Sequence, residues 1–143
     1  MSNVMFNTIT TGVVVFVSGQ ILVKCVLDPY ISFKEHLGMV SAILLREQSK
    51  ILNVNAKHEV ITEIKQVSAL LLSKSNAVPM YGLFAKLHLL PHYKNVRNAT
   101  KNLNLIASIL EEGRGAITGH AYNQVQSSLN AIGKDLGMIV TYN

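Results

Sequence analysis

Residues Val4–Val23 read VMFNTITTGVVVFVSGQILV, twenty consecutive positions without a charged side chain. As a helix rising about 1.5 Å per residue, this stretch is about 30 Å long, the hydrocarbon thickness of a bilayer. It predicts a single membrane span within residues 1–28. Residues 1–6 carry no Lys or Arg, and no Ala-x-Ala follows Val23. A cleaved secretory leader needs both features, so the segment reads as a retained signal anchor. Lys24 and Lys34 flank its carboxyl end, and positive charge orients a span toward the cytoplasm. The expectation is a short amino terminus outside and the body, residues 29–143, inside.

The remainder is long enough for one core. The chain has 143 residues, is 49% hydrophobic with a mean hydropathy of +0.29, and carries a formal net charge of +5. Lys24 is the only charged side chain before Asp28, so the basic surplus lies in the body. Cys25 is the sole cysteine, which excludes an internal disulfide and a cysteine-built zinc site.

At 100° per residue, Asn7, Thr8, Thr11, Gly12, Val15, Ser18 and Gly19 share one side of the span, with Leu22 and Cys25 below them. Small residues let two helix backbones approach, and Asn, Thr and Ser can bond across the seam. This face predicts self-association or packing against another membrane protein. Thr and Ser can equally bond back to carbonyls of their own helix.

Thr11–Lys24, TGVVVFVSGQILVK, followed by Asp28 and Pro29, resembles a family of small uncharacterised bacterial single-pass membrane proteins. Their segment has the form V-F-V-x-G-Q-x-x-x-K with x-Pro shortly after it. A later block, Pro79, Tyr81, Leu83, Phe84, Ala85 and Leu87, resembles the family's P-x-Y-x-L-F-A-x-L pattern. The resemblance covers about a quarter of the chain and implies topology alone: one span in the bacterial inner membrane and a helical cytoplasmic tail.

Beyond Pro29, which an ordinary helix cannot continue through without a kink, apolar residues recur at helical spacing. Leu37, Val40, Leu44 and Ile51 form one stripe over 31–53, and Val60, Ile64, Val67 and Leu71 another over 56–75, with Asn55 as its expected cap. Val96, Ala99, Leu103, Ile106 and Leu110 lead to Gly113. Ala121, Val125, Leu129, Ile132 and Leu136 lead to Gly137. Each stripe covers one face, so the helices must cover one another. The expected fold is all-α: one transmembrane helix followed by a bundle of about four helices. Met138–Tyr142 is β-prone, and Arg46, Glu47, Lys50, Lys57 and Lys65 are expected on solvated outer faces.

Residues 79–93, PMYGLFAKLHLLPHY, are more apolar than a short connection requires. Met80, Leu83, Phe84, Leu87 and Leu90 make a wide face, with Tyr81, Lys86, His88 and Tyr93 at its polar edge. The segment reads either as an interfacial helix lying on lipid headgroups or as a short helix closing the bundle. Between Glu63 and Glu111 there is no acid, whereas Lys65, Lys74, Lys86, Lys94, Arg97 and Lys101 all occur. Each base beside an anionic leaflet contributes about 1 kcal/mol, so the expected partner is an anionic bilayer. The same bases could meet nucleic acid phosphates, but no recognised nucleic-acid motif accompanies them.

Catalytic patterns are missing from the sequence. His88 and His92 have i, i+4 spacing, but Pro91 lies between them and no neighbouring carboxylate completes a metal set. Glu111 and Glu112 point about 100° apart on a helix, and Arg114 is placed to neutralise one of them. Gly113, Gly115 and Gly119 follow no strand and precede no Lys-Ser/Thr pair, so they read as a hinge or a helix cap. The sequon at Asn98–Thr100 falls on a predicted cytoplasmic helix. No catalytic, cofactor or metal residues are assigned, and the chain reads as a non-enzymatic, membrane-anchored interaction module. The alternative is a membrane-perturbing protein that inserts 79–93 beside its span.

Overall fold

The helix that starts at Ser2 does not stop at Pro29. The structure, a computed structural model, describes residues 2–113 and 119–142. Within it one helix runs unbroken over Asn3–Arg46, 44 residues or about 66 Å. It comprises α1 (Ser2–Leu22), a π-helical turn (Val23–Leu27) and α2 (Asp28–Arg46). In the π-turn the Asp28 N–H donates to the Val23 carbonyl, five residues back. Pro29 has no N–H, and in a regular helix its ring would meet the carbonyl four residues before it. One wider turn relieves that crowding. Pro29 thus does not end the helix, and α1 continues through the widened turn directly into the body.

Asn3–Leu22 is exposed along its whole length, with apolar residues on every side. This helix is long and apolar enough to cross a membrane.

The body is an antiparallel helical bundle, as its four stripes require. After α2 come the short α3 (Gln48–Leu52), α4 (His58–Ala77), the short α5 (Tyr81–Lys86), α6 (Tyr93–Glu112) and α7 (Gly119–Leu136). Every residue of the first three predicted stripes is buried, as are Val125, Leu129, Ile132 and Leu136 of the last; Ala121 packs at its edge. Fully burying each large aliphatic side chain contributes about 1.5–3 kcal/mol before chain entropy is counted.

Polar pairs set direction and register. Lys74 Nζ donates to Ser32 Oγ at 2.6 Å, and Arg46 Nη2 to Glu63 at 2.7 Å, so α2 and α4 run in opposite directions. His36 is buried with Nε2 2.9 Å from the Val67 carbonyl. A carbonyl can only accept, so the ring proton sits on Nε2. Tyr93 bonds Asn76 at 2.9 Å and Lys65 bonds Glu111 at 2.7 Å, which makes α6 antiparallel to α4.

Helix ends explain two departures from expectation. Asn55 does not cap α4, whose N-cap is Lys57. Its N–H instead closes α3 on the Lys50 carbonyl, while Val54 N–H bonds Ile51 in left-handed conformation at φ 51°. That is a Schellman motif with Val where glycine is usual. Leu89 N–H to Phe84 O and His88 N–H to Ala85 O, with His88 at φ 57°, repeat it after α5. After α7, the Met138 N–H makes the outer bond of the same motif to the Gly133 carbonyl, with Gly137 at φ 64°.

The β-prone segment 138–142 forms no strand among the described residues: it is irregular, with bends at Met138 and Thr141. It runs along α2: Ser41 Oγ donates to the Ile139 carbonyl, and Tyr142 N–H to Gln48 Oε1 at 3.1 Å. Val140 is buried. A Cβ on Gly133 would lie 3.1 Å from both the Met138 carbonyl and Val140, so glycine lets the tail approach α7 without displacement.

Candidate membrane-proximal interface

The antiparallel order gathers the start of α2, the end of α4, α5, the start of α6 and the end of α7 at the end of the bundle where α1 leaves. Residues 79–93 wrap this end. Tyr30 and Phe84 stack with ring centroids 5.0 Å apart, and Phe33 meets Tyr81 edge-on at 5.8 Å. The Tyr81 hydroxyl donates to the Pro91 carbonyl at 2.7 Å and its ring meets Tyr93 at 6.0 Å. Burial, with a smaller contribution from Tyr93, pushes the Tyr81 phenol above its ordinary range, so it stays a neutral donor.

The segment is not one helix over 79–93. Left-handed residues at Met80 and His88 restrict α5 to six residues, with Pro79 and Pro91 outside it. The expected single apolar face is consequently split. Phe84 is half-buried on Tyr30, and Leu90 is 5% exposed in the core. Met80, Leu83 and Leu87 face outward at 65, 47 and 58% exposure, joined by Leu89 at 46%. Tyr81 is half-buried rather than at a polar edge, while Lys86, His88 and Tyr93 are exposed. The segment closes the bundle with one side and leaves the other open.

Lys86, Lys94, Arg97 and Lys101 are exposed, and none forms an ion pair among the described residues. Beside them opens a cleft of about 300 Å³ whose polar lining is Lys34, His88, His92, Asn95, Lys134 and Asp135. Sequence spacing singled out the two histidines but not the lysines from α2 and α7, which are a hundred residues apart in the chain. Among the described residues, no three of His, Cys, Asp or Glu converge closely enough to hold a metal.

On α1, Asn7, Thr8, Thr11, Gly12, Val15, Ser18 and Gly19 are all exposed. The Thr8 hydroxyl bonds back to the Val4 carbonyl at 2.9 Å, so its donor is already used. A Cβ on Gly12 or Gly19 would meet nothing within 4 Å. Cys25 is exposed in the π-turn, and Lys24 pairs with Asp28 at 3.2 Å across one helical turn.

At the far end of the bundle, the expectation of a solvated Glu47 is corrected. It sits 8% exposed at the α2–α3 junction, held by Lys50 at 2.6 Å and Arg46 at 2.9 Å. The Lys50 hydrogen bond first, and that from Arg46 second, lower its carboxyl pKa below the ordinary value. The break after Arg46, which the apolar stripe does not reveal, turns this side chain inward. Arg114 and Gly115 lie outside the described residues; Lys65 reaches Glu111, and Ser108 Oγ bonds Glu112 at 3.3 Å.

Comparison with known proteins finds no matching family model, curated protein or solved structure.

Proposed function

We propose that this chain is a membrane-anchored helical interaction module, held by α1 and seated on the inner face of the bacterial membrane through the α5 end of its body. The Tyr30–Phe84 stack carries the reading. It fixes the outward residues Met80, Leu83, Leu87 and Leu89 at the end of the body from which α1 leaves, and in this reading that end meets the lipid headgroups. Tyr30 is eight residues, or about 12 Å, past Leu22. Lys86, Lys94 and Arg97 near that end, none ion-paired among the described residues, supply attraction to anionic lipid. The same arrangement accounts for so apolar a segment: Tyr81, Phe84, Ala85 and Leu90 pack inward, and Met80, Leu83, Leu87 and Leu89 are left for the interface.

Interaction with a second copy or another membrane protein is assigned to the small-residue side of α1, where Gly12 and Gly19 leave open space for a neighbouring backbone. Insertion of 79–93 as a second membrane element has less support. Phe84 and Leu90 are already engaged, and six helical residues cannot span a bilayer.

The test places an environment-sensitive fluorophore on Leu87→Cys, in a Cys25→Ser background, in the full chain reconstituted into vesicles containing anionic lipid. Brominated lipids should quench a probe at residue 87 and leave one on Lys57→Cys bright. Equal, weak quenching at both positions would overturn seating on the membrane. Chemical crosslinking should give a ladder that collapses in Gly12→Ile/Gly19→Ile; a ladder unchanged by these substitutions would overturn the assignment of the α1 face.

A further inference from the structure

We propose that the cleft formed by Lys34, His88, His92, Asn95 and Lys134 is a binding site for a phosphate group, supplied by a phospholipid headgroup. The second part rests on the reading above that this end of the bundle faces the membrane.

Four elements build the cleft: α2 gives Lys34, the turn after α5 gives His88, the start of α6 gives His92 and Asn95, and the end of α7 gives Lys134. Residues this distant in sequence converge only in the folded bundle. Neither Lys34 nor Lys134 forms an ion pair among the described residues, although Asp135 lines the same cleft. Two lysines thus line a shared space, and neither is ion-paired among the described residues. The imidazoles and the Asn95 amide add neutral or cationic donors. Asp135 and the carboxyl end of α7 oppose an anion. Two lysines outweigh the one acid, and the Met138 N–H already satisfies the Gly133 carbonyl at that helix end.

A divalent cation is the other ligand that two histidines and an aspartate suggest, but they do not gather into a metal-binding set. The lining selects an anion rich in acceptors, and a phosphomonoester fits because it can accept from several donors at once. Leu89 lines the cleft and is half-exposed at its edge. An acyl-bearing ligand would therefore find apolar contact next to its headgroup, whereas free phosphate would not.

The experiment uses the full chain in neutral detergent micelles, without a bilayer, so failure of membrane seating does not affect it. Inorganic phosphate, short-chain phosphatidic acid and short-chain phosphatidylcholine are titrated while the amide resonances of His88, His92 and Asn95 are followed. Saturable shifts with phosphatidic acid, and weaker ones with inorganic phosphate, are expected; phosphatidylcholine should give none. Lys34→Gln/Lys134→Gln should weaken binding about 30-fold, and Asp135→Asn should strengthen it severalfold. Lys57→Gln, an exposed base at the far end of the bundle, should leave it unchanged. Both lysines are exposed, and an unaltered melting curve verifies that their variant folds. Saturation by inorganic phosphate with no gain from the lipid would retain the phosphate site and overturn the headgroup as its source. Linear, unsaturable shifts, or equal binding by the double lysine variant, would overturn the site itself.

Discussion

The side chain of Val54 occupies the space that a Cβ on Gly113 would need. Val54 is itself a β-branched residue at φ 51°, a conformation such residues rarely adopt. The α3–α4 connection and the end of α6 are therefore fitted to one another by a strained valine against a bare backbone. Gly113→Ala should destabilise the body by about 1–3 kcal/mol, the usual cost of overpacking. Val54→Gly should relax the backbone but lose a buried side chain. Combined, the two substitutions should cost less than the sum of their separate effects, because Val54→Gly removes the side chain that Gly113→Ala runs into. Chemical unfolding of the four proteins of this cycle, followed by circular dichroism, measures the coupling.

The split of residues 79–93 separates stability from membrane contact. Phe84→Ala removes the ring stacked on Tyr30 and should lower the unfolding free energy by about 1–3 kcal/mol, below the full-burial range because Phe84 is only half-buried. Leu83→Asp and Leu87→Asp alter exposed positions and should leave stability within about 0.5 kcal/mol. These two should nevertheless reduce lipid quenching of a fluorophore at Met80→Cys. Unfolding midpoints and quenching, measured on the same preparations, should rank the three substitutions in opposite orders.

The bundle was legible because its periodicity is a direct consequence of burial: Val96, Leu103, Ile106 and Leu110 recur where one helix face must be covered, and all are buried. The ends were less legible. Val54 and His88 take a left-handed conformation usually reserved for glycine, so their Schellman turns carry no sequence signal, and Asn55 imitated a cap while completing the preceding helix. Pro29 signals a disturbance but not its form, since a widened turn and a kink answer the same clash. The cleft was hidden for a different reason. Lys34 and Lys134 are brought to one cleft by the way α2 and α7 meet at the end of the bundle, which local spacing cannot report. Glu47 looked solvated because the helix break that turns it inward leaves the apolar stripe intact.

His88 and Gly137 hold equivalent places in two Schellman turns, at φ 57° and 64°. The left-handed conformation costs an L-residue about 1–2 kcal/mol, partly offset by the greater freedom that glycine has in the unfolded chain. His88→Gly should accordingly stabilise the body by up to about 1 kcal/mol, and Gly137→Ala should destabilise it by a similar amount. The melting temperature should rise in the first variant and fall in the second. An equal fall in both would mean that the His88 side chain contributes more than its backbone costs.

Acid should loosen the far end of the bundle through Glu47. Its carboxylate accepts from Lys50 and Arg46, and those bonds hold its folded-state pKa below the ordinary carboxylate value of 4.5. The folded state thus favours the ionised form. Its contribution is complete above about pH 4.5, where the unfolded chain is ionised as well, and is lost as the pH falls through the lower folded value. Glu47→Gln cannot release or bind that proton. The variant should be less stable than the native chain at pH 7, with the gap narrowing steadily below pH 4.5. Because Arg46 and Lys50 are more than half exposed, 0.5 M salt should shrink the gap at neutral pH too. Unfolding curves for both proteins from pH 7 to pH 3 provide the measurement, and parallel curves with a constant gap would mean that Glu47 acts through packing and not through its charge.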